Sequence, residues 1–219
     1  KQHPQLVKRL ADAGHEIGSH GMNHEKVFNM SPGKFLKEEA EVKAILEDLT
    51  GTEINSYRAP YFSITKQSMW ALDILASLSY RYDCSISPVV TWRYGVPGAP
   101  EGVYLLEKCG LVEYTISSWT MMGCRFASGG AYFRIFPPFL TFRPFQSTES
   151  GMFYAHPWEY DPDHPVINLE WKTRFTHYYN LRLMRKRTER LLKQFQFGTV
   201  KDVVSRKDGL LTFAEDSFE

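Results

Sequence analysis

The chain has 219 residues, 43% hydrophobic and 23% charged, with a formal net charge of +1. That length can fill one good-sized core, the near-neutral charge gives no footing for nucleic acid, and no apolar run approaches the ~20 residues of a membrane-crossing helix. Cys84, Cys109 and Cys124 form no Cys-x-x-Cys pair, which argues against a zinc knuckle or redox motif and leans toward reduced thiols in a reducing compartment.

Residues 4–13 read as a helix, with Pro4 in its first turn, an apolar stripe of Leu6, Val7 and Leu10, and Gly14 at its end. Residues 15–18 are short enough for a strand, and the stretch 20–29 reads as a loop. Ser31-Pro32 is an N-cap followed by proline at the first helical position. Phe35, Val42, Ile45, Leu46 and Leu49 then recur at helical spacing until Gly51. Residues 54–57 form a brief strand, Thr65 caps a third helix carrying Met69, Trp70, Leu72, Ile74 and Leu75, and 80–82 form the next strand, ending at Asp83. Helices alternating with strands predict an α/β fold with a mainly parallel sheet. After residue 90 the rhythm changes: 103–106 and 111–115 suit a hairpin, 129–145 is rich in Phe, Tyr and Pro, and 152–155 suits a buried strand. Leu181, Met184, Thr188, Leu191, Leu192 and Phe195 outline a last long helix. Its basic residues, Arg182 to Lys193, read as a solvated face.

In α/β folds chemistry collects at the carboxyl ends of strands, and the candidate motifs sit there. His20 and His24 are spaced to reach one metal ion, zinc or another divalent ion that takes nitrogen and oxygen ligands. Gly21 and Asn23 between them favour a loop over a helix. Arg58 is followed by Pro60 and Tyr61; the proline would rigidify a turn and let the Tyr61 N–H face an oxyanion, while an ordinary structural salt bridge is the plainer role for the arginine. His156, before Pro157 and Trp158, could protonate a leaving amine or be a packed core histidine. Asp83 could orient His156 and keep it charged, or cap a turn. Trp158 suits a sugar ring.

These residues resemble the polysaccharide deacetylase family, also called the NodB-homology group or carbohydrate esterase family 4. His20 and His24 match its His-x-x-x-His metal motif, Arg58-Ala59-Pro60 its Arg-x-Pro motif, and Tyr154-Ala155-His156 its hydrophobic-x-His motif. A closer resemblance is to the subgroup associated with exosortase and exopolysaccharide gene clusters. It rests on Gly14 to Gly21, Tyr57 to Pro60, Tyr80 to Asp83, Gly129 to Arg134, His156 to Asp163 and Arg174 to Leu181.

The resemblance implies a distorted (β/α) barrel in one domain over 1–219, with an insertion around 90–150 and a subgroup-specific part around 125–200. It implies removal of N-acetyl groups from amino sugars of a polysaccharide. The metal would be zinc, with cobalt or nickel as substitutes. Catalytic roles fall to His156, Asp83 and Arg58, and substrate contacts to Tyr61, Pro60 and Trp158. The family's first motif, an aspartate pair on the first strand, has no counterpart in residues 1–14, where Asp12 lies on the helix. The expectation is therefore a barrel lacking its first strand, inactive as it stands. The subgroup implies a role in exopolysaccharide biosynthesis and a cytoplasmic or membrane-peripheral location in a bacterium. The alternatives are a non-catalytic carbohydrate-binding or scaffold protein on the same fold, or a hydrolase of a small non-sugar amide.

Overall fold

In the computed structural model, which describes residues 3–91 and 94–214, the chain opens with α1 (Pro4–Asp12), α2 (Pro32–Thr50), β1 (Ser56–Tyr57), α3 (Trp70–Ser77) and β2 (Tyr82–Asp83). It continues with β3 (Val103–Leu106), β4 (Val112–Tyr114), β5 (Ser118–Met121), β6 (Cys124–Ala127), α4 (Gly130–Ile135), α5 (Pro138–Thr141) and α6 (Arg143–Ser147). The last elements are α7 (Trp171–Tyr178), α8 (Leu181–Gln194), α9 (Val200–Ser205) and β7 (Thr212–Phe213). This is an α/β fold with a mixed sheet. The described residues divide into two compact units, one drawn from 1–115 and 198–219, the other from 116–197. Among them, no helix is long and apolar enough to cross a membrane.

The first unit is a five-stranded sheet in the order β1-β2-β4-β3-β7. β1 and β2 pair in parallel, as do β2 and β4, with Tyr57 opposite Asp83 and Asp83 opposite Glu113. β3 and β4 form the expected antiparallel hairpin. α2 starts where Ser31 Oγ accepts from the Lys34 N–H, and it stops at Gly51, whose left-handed φ of 67° lets its N–H return to the Glu47 carbonyl. α2 buries Phe35 and Val42 as the periodicity predicts, and also Glu39. Phe35 joins Ile54, Tyr57, Ile64, Leu72, Leu75, Ile86, Leu106 and Leu111 in the core.

Two local expectations for this unit change. α3 begins at Trp70 behind Met69 rather than at Thr65, because Thr65 N–H donates to Ser68 Oγ and the segment makes a turn first. Residues 15–18 make no regular strand. The segment touches β1 through a single parallel bridge, Ser19 to Tyr57. Gly18 permits this approach, since a Cβ there would lie 2.9 Å from the Ser56 carbonyl oxygen.

The second unit opens with the β5–β6 ribbon. Its two-residue turn is Met122-Gly123, both at positive φ, as a tight hairpin requires. Phe133, Phe142, Met184 and Leu191 form its core, so the predicted long helix, α8, packs by its apolar stripe. The buried strand expected at 152–155 reduces to one parallel bridge between Gly129 and Tyr154.

Candidate functional site

In the first unit the chain returns three times to one end of the sheet. Ser19 N–H donates to the Ser56 carbonyl and Arg58 N–H to the Ser19 carbonyl, at 2.9 and 3.0 Å. His20 therefore leaves the segment beside Arg58, just past β1. Cys84, just past β2, donates its N–H to the Tyr57 carbonyl, and Ser85 Oγ accepts from Ala59 N–H. His20, Arg58 and Asp83 thus share one sheet end, as the strand-end argument predicts.

His20 and His24 converge, their ring centroids 5.0 Å apart. His24 has φ of 53° and lies edge-on to Tyr61, whose own φ is 59°. Both imidazoles are solvent-exposed. The decisive contact is His20 Nδ1 to the Arg58 carbonyl oxygen, 2.6 Å. A carbonyl can only accept, so Nδ1 carries a proton, and the neutral ring then holds its lone pair on Nε2. A backbone carbonyl on the second ring nitrogen is how metal-binding histidines are commonly oriented. The donor set therefore fits two nitrogen ligands of a divalent ion. Among the described residues no group of three or more His, Cys, Asp or Glu side chains surrounds a common point.

Arg58 donates from Nε to the Cys84 carbonyl at 3.2 Å and lies over the Phe62 ring. This ties the end of β1 to the end of β2. Behind the loop, the buried Glu39 accepts from Ser19 Oγ at 2.7 Å and from the Tyr80 hydroxyl at 3.3 Å. Burial pushes the Glu39 carboxyl up to about 7, with Ser19 and Tyr80 pulling the other way.

Asp83 is fully buried and accepts from Ser85 Oγ. Burial raises its carboxyl, while Glu113 and Ser85 hydrogen bonds lower it. Glu113 opposite it is equally buried; burial and then the Asp83 charge hold its carboxyl well above the usual range. Asp83 and Glu113 are thus a buried acid pair in which burial disfavours the charged forms.

The second unit holds His156. Its backbone N–H and its Nδ1 both reach Glu159 Oε2, at 2.8 and 3.0 Å. The sequence reading offers Asp83 as a carboxylate for this ring; the carboxylate seen on Nδ1 is Glu159. The other Glu159 oxygen accepts from Arg134 Nε at 2.9 Å, and both side chains of this pair are fully buried. Burial raises the Glu159 carboxyl, but the His156 ring and backbone N–H and the Arg134 guanidinium outweigh it and hold it below its ordinary value. Trp158 stacks with His156 at 5.5 Å and with His177 at 4.0 Å. Sequence reasoning quoted the stretches containing Arg134 and Glu159 but gave neither a role, because nothing in their spacing shows that they pair.

Residues 1–82 match the family model described as polysaccharide deacetylase. Residues 84–205 match the model described as a domain of unknown function, DUF3473. The chain belongs to the DUF3473 family, and its N-terminal part is similar to polysaccharide deacetylases. The chain is 30% identical over 84 residues to the peptidoglycan deacetylase of Helicobacter pylori, a match covering 37% of the chain and 27% of that protein. It is 32% identical over 66 residues to the peptidoglycan-N-acetylglucosamine deacetylase PgdA of Listeria monocytogenes, covering 30% of the chain and 14% of that protein. The matches thus span about a quarter or less of these two relatives. Among solved structures, Puue allantoinase superposes with a TM-score of 0.54 at 16% identity, over 93% of the chain and 62% of that structure. That likeness shows the same fold.

Proposed function

We propose that the protein is a metal-dependent hydrolase that removes N-acetyl groups from amino sugars of a polysaccharide, in exopolysaccharide biosynthesis. The observation that carries this is the His20 ring, oriented at Nδ1 by the Arg58 carbonyl with His24 beside it. His20 and His24 would hold a divalent ion, zinc or in its place cobalt or nickel, with a carboxylate as the further ligand that the family resemblance implies. When bound, such an ion polarises an acyl carbonyl and lowers the pKa of water.

The chain's own residues do the rest. Arg58 fixes the metal-site loop through its carbonyl and braces the strand ends through its guanidinium. Pro60 and the left-handed Tyr61 turn present the Tyr61 N–H to the developing oxyanion, and the exposed Tyr61 ring contacts the sugar. Asp83, with Glu113, supplies a buried acid pair under the strand ends. His156 protonates the departing amine, with Trp158 as the aromatic beside it. The acetylated polymer is the one partner this chemistry requires.

The test is zinc titration of the protein and of its His24→Ala variant, together with acetate release from an acetylated amino-sugar oligomer, which is expected to be slight because residues 1–14 hold no counterpart of the family's aspartate pair. Metal binding lost in the variant, with little acetate released by the unaltered protein, supports the assignment, and robust acetate release would refute the reading of the absent aspartates. Equal metal binding by both proteins would sink the assignment.

A further inference from the structure

We propose that Arg134 and Glu159 are positioning residues for His156, fixing its ring so that Nε2 is the nitrogen that hands over the proton. The inference rests on the acid role given to His156 above.

One oxygen of Glu159, Oε2, holds both the His156 backbone N–H and the His156 Nδ1. A carboxylate only accepts, so it takes a proton from Nδ1 whether the ring is neutral or charged. The ring is thereby tied to its own backbone through a single atom, and its rotation is restricted. The other oxygen is occupied by Arg134 Nε. Arg134 in turn donates to the Thr176 carbonyl at 2.8 Å and to the Tyr179 carbonyl, at the end of α7. The carboxylate cannot turn without breaking a bond at one end or the other. Stacking on Trp158 restricts the ring from the side.

A buried ion pair is weak evidence for stability, since its desolvation can offset its attraction. Here each carboxylate oxygen has a separate task, one for the anchor and one for the histidine. That division orients a ring and sets its tautomer, the job a buried carboxylate performs for other catalytic histidines. In the proton transfer, the Nε2–H bond breaks and an N–H bond forms on the departing amine. The Nδ1–H stays on the ring, hydrogen-bonded to Glu159.

The first experiment uses the unaltered protein. Nitrogen-15 NMR of the neutral His156 ring is expected to show Nδ1 protonated and Nε2 bare; an Nε2–H tautomer overturns the proposal. The second uses Glu159→Gln, read by the same nitrogen-15 spectra and by thermal melts. Glu159→Gln is expected to raise the Nε2–H fraction of the neutral ring. If Glu159→Gln only lowers Tm, with the tautomer unchanged, the pair is merely structural and the proposal fails. The tautomer is read without turnover, so this result stands apart from the outcome of the acetate assay. Should Glu159→Gln not fold, the tautomer of the unaltered protein still decides.

Discussion

Glu39→Gln should change how the stability of this protein depends on pH. Glu39 lies on α2 at 1% exposure, and burial pushes its carboxyl up from 4.5 to about 7. A carboxyl whose folded value lies above its unfolded value binds its proton more tightly when folded. Stability is therefore highest while both states are protonated, falls as pH rises from about 4.5 to about 7, and is level above that. The interval corresponds to roughly 3 kcal/mol. Glutamine keeps an oxygen to accept from Ser19 and Tyr80 but never ionises. The difference between the two proteins isolates Glu39, because every other titrating group is common to both. Urea denaturation at pH 4.5, 6 and 8 is the assay. The variant should match the unaltered protein at pH 4.5 and exceed it by about 3 kcal/mol at pH 8. A difference that stays constant with pH would show that Glu39 is not held neutral by burial and would refute the reasoning.

Gly18→Ala should be destabilising, because its Cβ would meet the Ser56 carbonyl oxygen at 2.9 Å and backbone cannot swing aside. A cost of about 1–3 kcal/mol is expected, with weaker zinc binding because the Ser19 bridge next to His20 is displaced; thermal melts and zinc titration read both. Glu113→Gln should leave stability within about 1 kcal/mol, since burial disfavours the Glu113 charge and glutamine keeps an oxygen to accept, whereas Glu113→Leu removes the acceptor of the Ile86 N–H and should cost about 1–3 kcal/mol in denaturant melts.

How much of this was legible beforehand differs by element. α2 and α8 follow from apolar residues at helical spacing, and in α2 from Ser31, Pro32 and Gly51 at its ends, because a helix closes its hydrogen bonds within one segment. The 103–106 and 111–115 hairpin was readable for a related reason, its partners being neighbours in sequence. β1 and β2 are two residues each and exist only through parallel pairing with segments distant in sequence, so a sequence window can place but not delimit them. Thr65 reads as a cap in sequence, but its N–H goes to Ser68 Oγ three residues on and the helix starts behind Met69, a turn that local spacing does not reveal.

The same division holds at the site. The spacing of His20 and His24, the run from Arg58 to Tyr61 and the placement of His156 before Pro157 were visible because each is local. The sequence by itself determined an α/β chain with helix ends, candidate metal nitrogens and a candidate proton donor, since short-range hydrogen bonding and periodicity are written in consecutive residues. Tertiary structure alone decided that Glu39 goes inward among apolar neighbours, that Glu113 stands opposite Asp83, and that Glu159 joins Arg134 to the His156 ring. A carboxylate looks the same in sequence whether it faces water or a guanidinium. What separates the cases is the desolvation of the charge and the partner brought to meet it, and both exist only once the chain has folded.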